Sequence, residues 1–216
     1  MKHVVLKRFL LLITGLLIMS FGVSLSTKAD LGTSPISCVP FVLQLGLPLS
    51  MGLITFIMNA IFVLLQILLL RSKFQIFQLL QLVVAGIFSL FTDITMHIVS
   101  GIEVTSYAFQ WGLCFISITL IAIGVSMQVS ANLVMMAGEG LIAAIAQIVR
   151  KDFGKVKVAF DIILVLCGVF ISFFMLHSIV GVREGTVAAA LLVGTIVRYI
   201  LKRVQLQSFS MANRSM

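Results

Sequence analysis

Charge is scarce in this sequence. Of 216 residues, 10% are Asp, Glu, Lys or Arg, where a soluble domain carries about 25%. So few polar side chains cannot cover a water-facing surface, which excludes an ordinary soluble globular protein and a disordered chain. Cysteine is also sparse: Cys38, Cys114 and Cys167 lie far apart in apolar runs, with no CxxC pair. That excludes a secreted disulfide scaffold and leaves the thiols as small buried hydrophobes. No P-loop, HExxH, GxSxG or Rossmann fingerprint occurs, so no enzyme and no cofactor is expected. Met-rich stretches such as Met135-Met136 read as packing filler rather than metal ligands, and no metal is expected.

What is present is apolar. Hydrophobic residues make up 61% of the chain, and the mean hydropathy is +1.22. A bilayer-spanning helix needs about 20 apolar residues, so the length allows about six spans with short loops. The charge-free runs are Phe9–Thr27, Leu31–Leu70, Phe74–Thr92, Val104–Gly138, Ile162–Val182 and Gly185–Val197. Two of them are too long for one span. Leu31–Leu70 holds all three prolines, Pro35, Pro40 and Pro48, and proline breaks helices by removing a donor and clashing with the preceding turn. Val104–Gly138 runs into Ala137-Gly138-Glu139-Gly140. The reading is six spans near 8–27, 51–70, 75–97, 107–129, 157–177 and 185–201. Two short segments, 34–48 and 136–149, lie between spans one and two and between four and five.

Net charge is +8. Such an excess points to nucleic acid, to anionic lipid, or to basic cytoplasmic loops. With the N-terminus in the cytoplasm and both short segments non-crossing, Lys2, Lys7, Arg8, Arg71, Lys73, Arg150, Lys151, Lys155, Lys157, Arg198, Lys202, Arg203 and Arg214 fall inside. Only Lys28 and Arg183 fall outside. The positive-inside rule therefore selects both termini in the cytoplasm, and no nucleic-acid partner is needed. Lys2, Lys7 and Arg8 ahead of an apolar run have a signal-peptide layout, but Thr27-Lys28-Ala29 is a poor cleavage site.

A shift of 102 positions exposes an internal repeat. Gly22, Val23, Ser24, Ala29 and Leu31 match Gly124, Val125, Ser126, Ala131 and Leu133. At the same shift Gly52, Ile61, Val63 and Leu64 match Gly154, Ile163, Val165 and Leu166. Asp30 faces Asn132 and Asn59 faces Asp161, one acid and one amide in each half. Three spans per half is odd, so the halves, 8–98 and 107–201, enter the membrane from opposite sides. The expected fold is one all-α integral membrane domain of two inverted three-helix repeats, each with a short re-entrant or broken helix. Residues 202–216 form a short cytoplasmic tail. Secondary transporters are often built this way, with a site near the midplane.

The candidate site residues are the polar groups in apolar context. Asp30 and Ser34 flank the first break, and Ser34 is placed to cap a helix beginning at Pro35. Glu139 sits between two glycines at the second break. Asn59 and Asp161 lie within spans. A charge at membrane depth costs about 2.5–3.5 kcal/mol on insertion scales, so these groups line a substrate or ion cavity or else have local partners. Asp161 is one turn from Lys157, Asp30 is near a span end, and Asn59 and Asn132 suit interhelical hydrogen bonds. Asp93 and His97, four apart on one helix face, form a possible proton relay or an outer-interface hydrogen bond. Arg183-Glu184-Gly185-Thr186 reads as a cap on span six.

Gly22-x6-Ala29-x-Leu31-Gly32-x-Ser34-Pro35, Ala137-Gly138-Glu139-Gly140-Leu141 and Glu184-Gly185-Thr186-x4-Ala190-Leu191-Leu192-Val193-Gly194 resemble motifs of the YitT/YczE-like bacterial membrane proteins. The resemblance covers about residues 10–201 and is closer to the YczE branch, with no soluble domain after span six. Thr195 stands where that pattern has proline. The resemblance implies a bacterial plasma-membrane protein of this fold and no particular substrate. The leading expectation is a small-molecule or ion transporter. The rivals are a membrane protein that regulates or scaffolds a partner, and a substrate-binding subunit of an ATP-driven importer. Beyond the lipid bilayer, a homo-oligomer or a partner membrane protein is the expected company.

Overall fold

The computed structural model describes residues 2–214, with side chains for 5–203. Lys2 and Arg214 of the charge count, and most of the tail 202–216, therefore lie outside the described side chains. Among the described residues the protein is all helix and turn, without strands. The helices are α1 (Lys2–Ala29), α2 (Pro35–Gly46), α3 (Met51–Leu70), α4 (Leu80–Val99), α5 (Tyr107–Ala131), α6 (Ala137–Val149), α7 (Phe153–Leu176) and α8 (Glu184–Arg214). Two 3-10 turns, Arg71–Lys73 and Ile76–Leu79, join α3 to α4.

Six of these helices are long and apolar enough to cross a bilayer: Val5–Ala29, Met51–Lys73, Ile76–Val99, Tyr107–Ala131, Phe153–Leu176 and Glu184–Arg203. Pro35–Gly46 and Ala137–Val149 are the two short apolar helices. This is a multi-pass membrane protein in contact with lipid, and each of the six helices begins and ends within a few residues of the span read from the sequence. α8 differs in length, since its helix continues past 201 to Arg214.

The breaks have local causes. Pro35 opens α2, where its missing N–H costs nothing, and Pro40 is tolerated inside a short helix. Ser34 occupies the N-cap position, but its hydroxyl donates to Ser37 Oγ at 2.9 Å instead of accepting from the helix. Ser50 does cap α3, accepting from Leu53 N–H at 3.1 Å. α6 has Met136 at its N-cap, which offers no side-chain oxygen to the first turn.

α1 and α5 form the centre. Half of each apolar window is buried, against 17% for α7 and α8. Lipid tails are as apolar as leucine, so helices associate here through close packing, and small residues permit it. A Cβ on Gly124 would lie 2.6 Å from Gly15 O and 2.7 Å from Met19 Cβ. A Cβ on Gly22 would lie 2.9 Å from Ser117 O and 2.7 Å from the Ile121 side chain. Gly15 meets Gly124 while Gly22 meets Ser117, so the two helices run antiparallel. Leu12, Leu16, Met19 and Val23 of α1 pack with Val84 and Phe88 of α4 and Ile121 of α5. A second cluster joins the end of α1 to α5 and α8 through Leu31, Ile118 and Ala189. A third joins α3, α6 and α7 through Met58, Phe62, Leu141 and Leu164, with Ile36 and Val39 of α2 against it.

The remaining contacts form pairs. α2 packs on α7 and α3 on α6; α1 packs on α4 and α5 on α8; α2 packs on α3 and α6 on α7. α3 also packs closely along α4, whereas α7 and α8 have no comparable contact.

Candidate functional site

One end of the bundle is tied shut. The chain leaves α1 through Asp30, whose φ of 53° is left-handed. Asp and Asn tolerate that conformation better than other residues with a Cβ. The turn carries the chain to α2 beside the α7–α8 connection. There Thr33 N–H donates to Gly181 O at 3.0 Å and Gly185 N–H to Leu31 O at 2.7 Å. Arg183 Nη1 donates to the Asp30 backbone oxygen at 2.8 Å, with the Asp30 carboxylate 3.7 Å away. Its Nη2 lies 3.5 Å from Glu184, which also accepts from the Tyr107 hydroxyl at 3.3 Å. Gly32, with φ 91°, lies against Thr186 Oγ1 and the Arg183 backbone. We call this set the clasp.

The sequence-selected residues do varied work. Asn132 ends α5 as Asp30 ends α1, with φ 48° and its side chain exposed. The acid and amide that align at the shift of 102 positions thus share a backbone task. Asp161 pairs with Lys157 at 3.0 Å, one turn back on α7. Asn59 is 2% exposed; its Nδ2 donates to Thr55 O at 2.8 Å and its Oδ1 has no partner. Glu139 is half-buried in the first turn of α6.

Asp93 holds two helices together. Its carboxylate accepts from Ser50 Oγ and from Gly52 N–H, both at 2.7 Å. That ties the N-terminus of α3 to α4, a charge-assisted cap. His97 is exposed, and its side chain has no hydrogen-bond partner among the described residues. A buried donor left without its acceptor costs about 1–3 kcal/mol. Asp93→Ala, which removes both acceptor oxygens, is therefore expected to lower the thermal midpoint in detergent by several degrees, while His97→Ala leaves it unchanged. Equal midpoints for the two variants would argue against the cap.

At the other end of the bundle lies a cavity of about 200 Å³. Its walls are the α3–α4 connection and start of α4 (Leu70, Phe77, Gln78, Gln81), the α5–α6 linker (Leu133, Val134, Met135) and one face of α6 (Gly140, Ala143, Ala144, Gln147). Behind the wall, Gln66 of α3 is fully buried. Its Nε2 donates to Gln81 Oε1 at 2.9 Å and to Ala137 O at 3.0 Å. Its Oε1 has no partner among the described residues. A Cβ on Gly140 would lie 2.7 Å from both Gln66 Oε1 and Gln81 Nε2, so the two amides converge on that glycine. None of Asp30, Ser34, Asn59, Asn132, Glu139 and Asp161 lines the cavity.

Sequence reasoning passed over Gln66 and Gln81 because it weighed charged groups and repeat-matched pairs. The available signal was an amide inside each of the charge-free runs Leu31–Leu70 and Phe74–Thr92. Among the described residues no group of His, Cys, Asp and Glu is placed to hold a metal ion.

The chain matches no curated protein and no solved structure. It does match, over residues 6–202, the model of DUF6198, a family of unknown function, and it belongs to that family.

Proposed function

We propose that the protein is a small-molecule transporter of the bacterial plasma membrane. It is built from inverted repeats 8–98 and 107–201, and its kinship with the YitT/YczE-like proteins belongs to the same reading. The repeat is supported by contacts that recur with their partners exchanged. Gly124 against Met19 becomes, at a shift of 102, Gly22 against Ile121, and both are close. Gly140 against Gln66 becomes Cys38 against Gly168, again close. Ile36 and Gly138, equivalent to each other, touch directly. The short helices α2 and α6 would then be the re-entrant pair, meeting at their N-termini.

One observation carries the function. Shifted by 102, the cavity walls Gln81, Leu133, Val134, Met135, Ala143 and Ala144 become Arg183, Leu31, Gly32, Thr33, Phe41 and Val42. Those are residues of the clasp and of the α2 face that Gly181 packs against. Equivalent surfaces are joined at one end and parted at the other. A transporter of two inverted halves around a fixed site takes this form in either of its two states. The positive-inside count puts the cavity on the cytoplasmic side and the clasp outside, which makes this the inward-open state.

The reading requires the two ends to be coupled. Leu79 and Met135 are the counterparts of Gly181 and Thr33, which the clasp joins. Cysteines at 79 and 135, with Cys114 and Cys167 replaced by alanine, should form a disulfide on mild oxidation of native membranes. The two Cα atoms must come within about 7 Å for that. Once the disulfide has formed, the buried Cys38 at the other end should react faster with an impermeant maleimide. A disulfide that leaves Cys38 equally protected would mean the ends move independently, and the transporter reading would fall.

A further inference from the structure

We infer that the cavity binds an uncharged solute presenting a hydrogen-bond donor beside an acceptor, as a carboxamide or a lactam does. The inference rests on the transporter reading for its role and on the side chains for its chemistry. Among the described residues no ionisable side chain lines the cavity. An ion entering it would lose water and gain no countercharge, a large penalty in a membrane-embedded site. The polar groups present are neutral amides: Gln78, Gln81 and Gln147 on the wall and Gln66 behind it.

The orientation of the inner pair is set by its network. Ala137 O is an acceptor only, so Gln66 must turn its Nε2 towards it. That NH2 also donates to Gln81, which therefore turns its Oε1 to Gln66. Two groups are left over: the Gln66 Oε1 acceptor, buried and without a partner, and the Gln81 Nε2 donor. Both lie 2.7 Å from the point where a side chain on Gly140 would begin. Gly140 lets both amides press against the α6 backbone at the cavity wall, so a solute must part them from it to reach the Gln66 oxygen. A buried acceptor without a donor is costly, and a solute N–H would satisfy it while the solute's carbonyl takes the Gln81 donor. The rest of the wall is Leu70, Phe77, Leu133, Val134 and Met135, suited to an apolar body.

Four probes of one shape test this against the protein in lipid nanodiscs, with binding read by saturation-transfer NMR and equilibrium dialysis. Benzamide carries a donor and an acceptor, acetophenone an acceptor only, benzoate a negative charge and benzylammonium a positive one. Benzamide should bind, acetophenone about tenfold more weakly, and the two ions not at all. Gln66→Leu should erase the difference between benzamide and acetophenone, and Gly140→Leu should abolish binding of both.

Acetophenone binding as tightly as benzamide would make the cavity an apolar slot for an acyl chain. That result, binding of either ion, or no binding of benzamide would overturn the inference. The wild-type ranking decides the matter even if a variant does not fold. Benzamide bound but never taken up by proteoliposomes would remove the transport reading and leave the ligand chemistry. Uptake of a charged solute, blocked by Gly140→Leu, would do the reverse.

Discussion

Replacing Arg183 by alanine should make Cys38 react about tenfold faster with a soluble maleimide, in a chain whose other two cysteines are alanine. Cys38 is fully buried one turn into α2, where the clasped linker enters the helix, with its side chain against Gly168 of α7. Arg183 bridges that linker to the start of α8 through the Asp30 backbone oxygen at 2.8 Å. A hydrogen bond from a charged donor is worth about 1.5–3 kcal/mol. The accompanying ion pairs are solvent-exposed and add little. A loss of about one or two kcal/mol shifts an opening equilibrium by about 5–30-fold. The contrast with Asp30→Asn sharpens the test. Asparagine keeps the backbone oxygen and tolerates the left-handed φ of 53°, so its labelling rate should stay near wild type. A rate that rises in Asp30→Asn and not in Arg183→Ala would mean that the carboxylate, not the arginine, holds this end.

Gly124→Leu should leave little folded protein in mild detergent. The new Cβ would sit 2.6 Å from Gly15 O and 2.7 Å from Met19 N, and both are backbone atoms that no rotamer change can move. α1 and α5 would have to part along the most enclosed contact in the bundle. Overpacking a core costs about 1–3 kcal/mol where side chains can adjust, and more where backbone must. Gly124→Ala should give a folded chain with a clearly lowered thermal midpoint. Gly112→Leu and Gly194→Leu meet nothing within 4 Å and should stay within about 0.5 kcal/mol of wild type. Size-exclusion profiles and thermal midpoints of the four variants check this. A loss at Gly112 or Gly194 matching that at Gly124 would mean that those open faces are packed as well.

The spans were legible in the sequence because charge is too costly to leave within them, so the charge-free runs drew their outline. The two short helices were legible because Pro35, Pro40 and the Gly138–Gly140 stretch break a run too long for one crossing. The site was not. Asp30 and Asn132 stood out as polar groups matched across the repeat, yet the match records a shared left-handed turn. Asp93 and His97 share a helix face, but the Asp93 carboxylate is occupied by Ser50 and Gly52 on another helix. No spacing rule along a single helix contains that. Gln66 was hidden because its counterpart, Gly168, is not polar, and a search for matched polar pairs passes over it.

That mismatch also bears on ancestry. A protein of two inverted halves can descend from a short chain that assembled with a second copy of itself. On the inverted-repeat reading, two copies of the first half would set Gln66 against Cys38, two side chains in a space built for one. Two copies of the second half would set Gly140 against Gly168 and leave a hole. In the present chain each glycine faces the other half's side chain. On that reading the halves have specialised in complementary directions, each now fitted to the other rather than to a copy of itself.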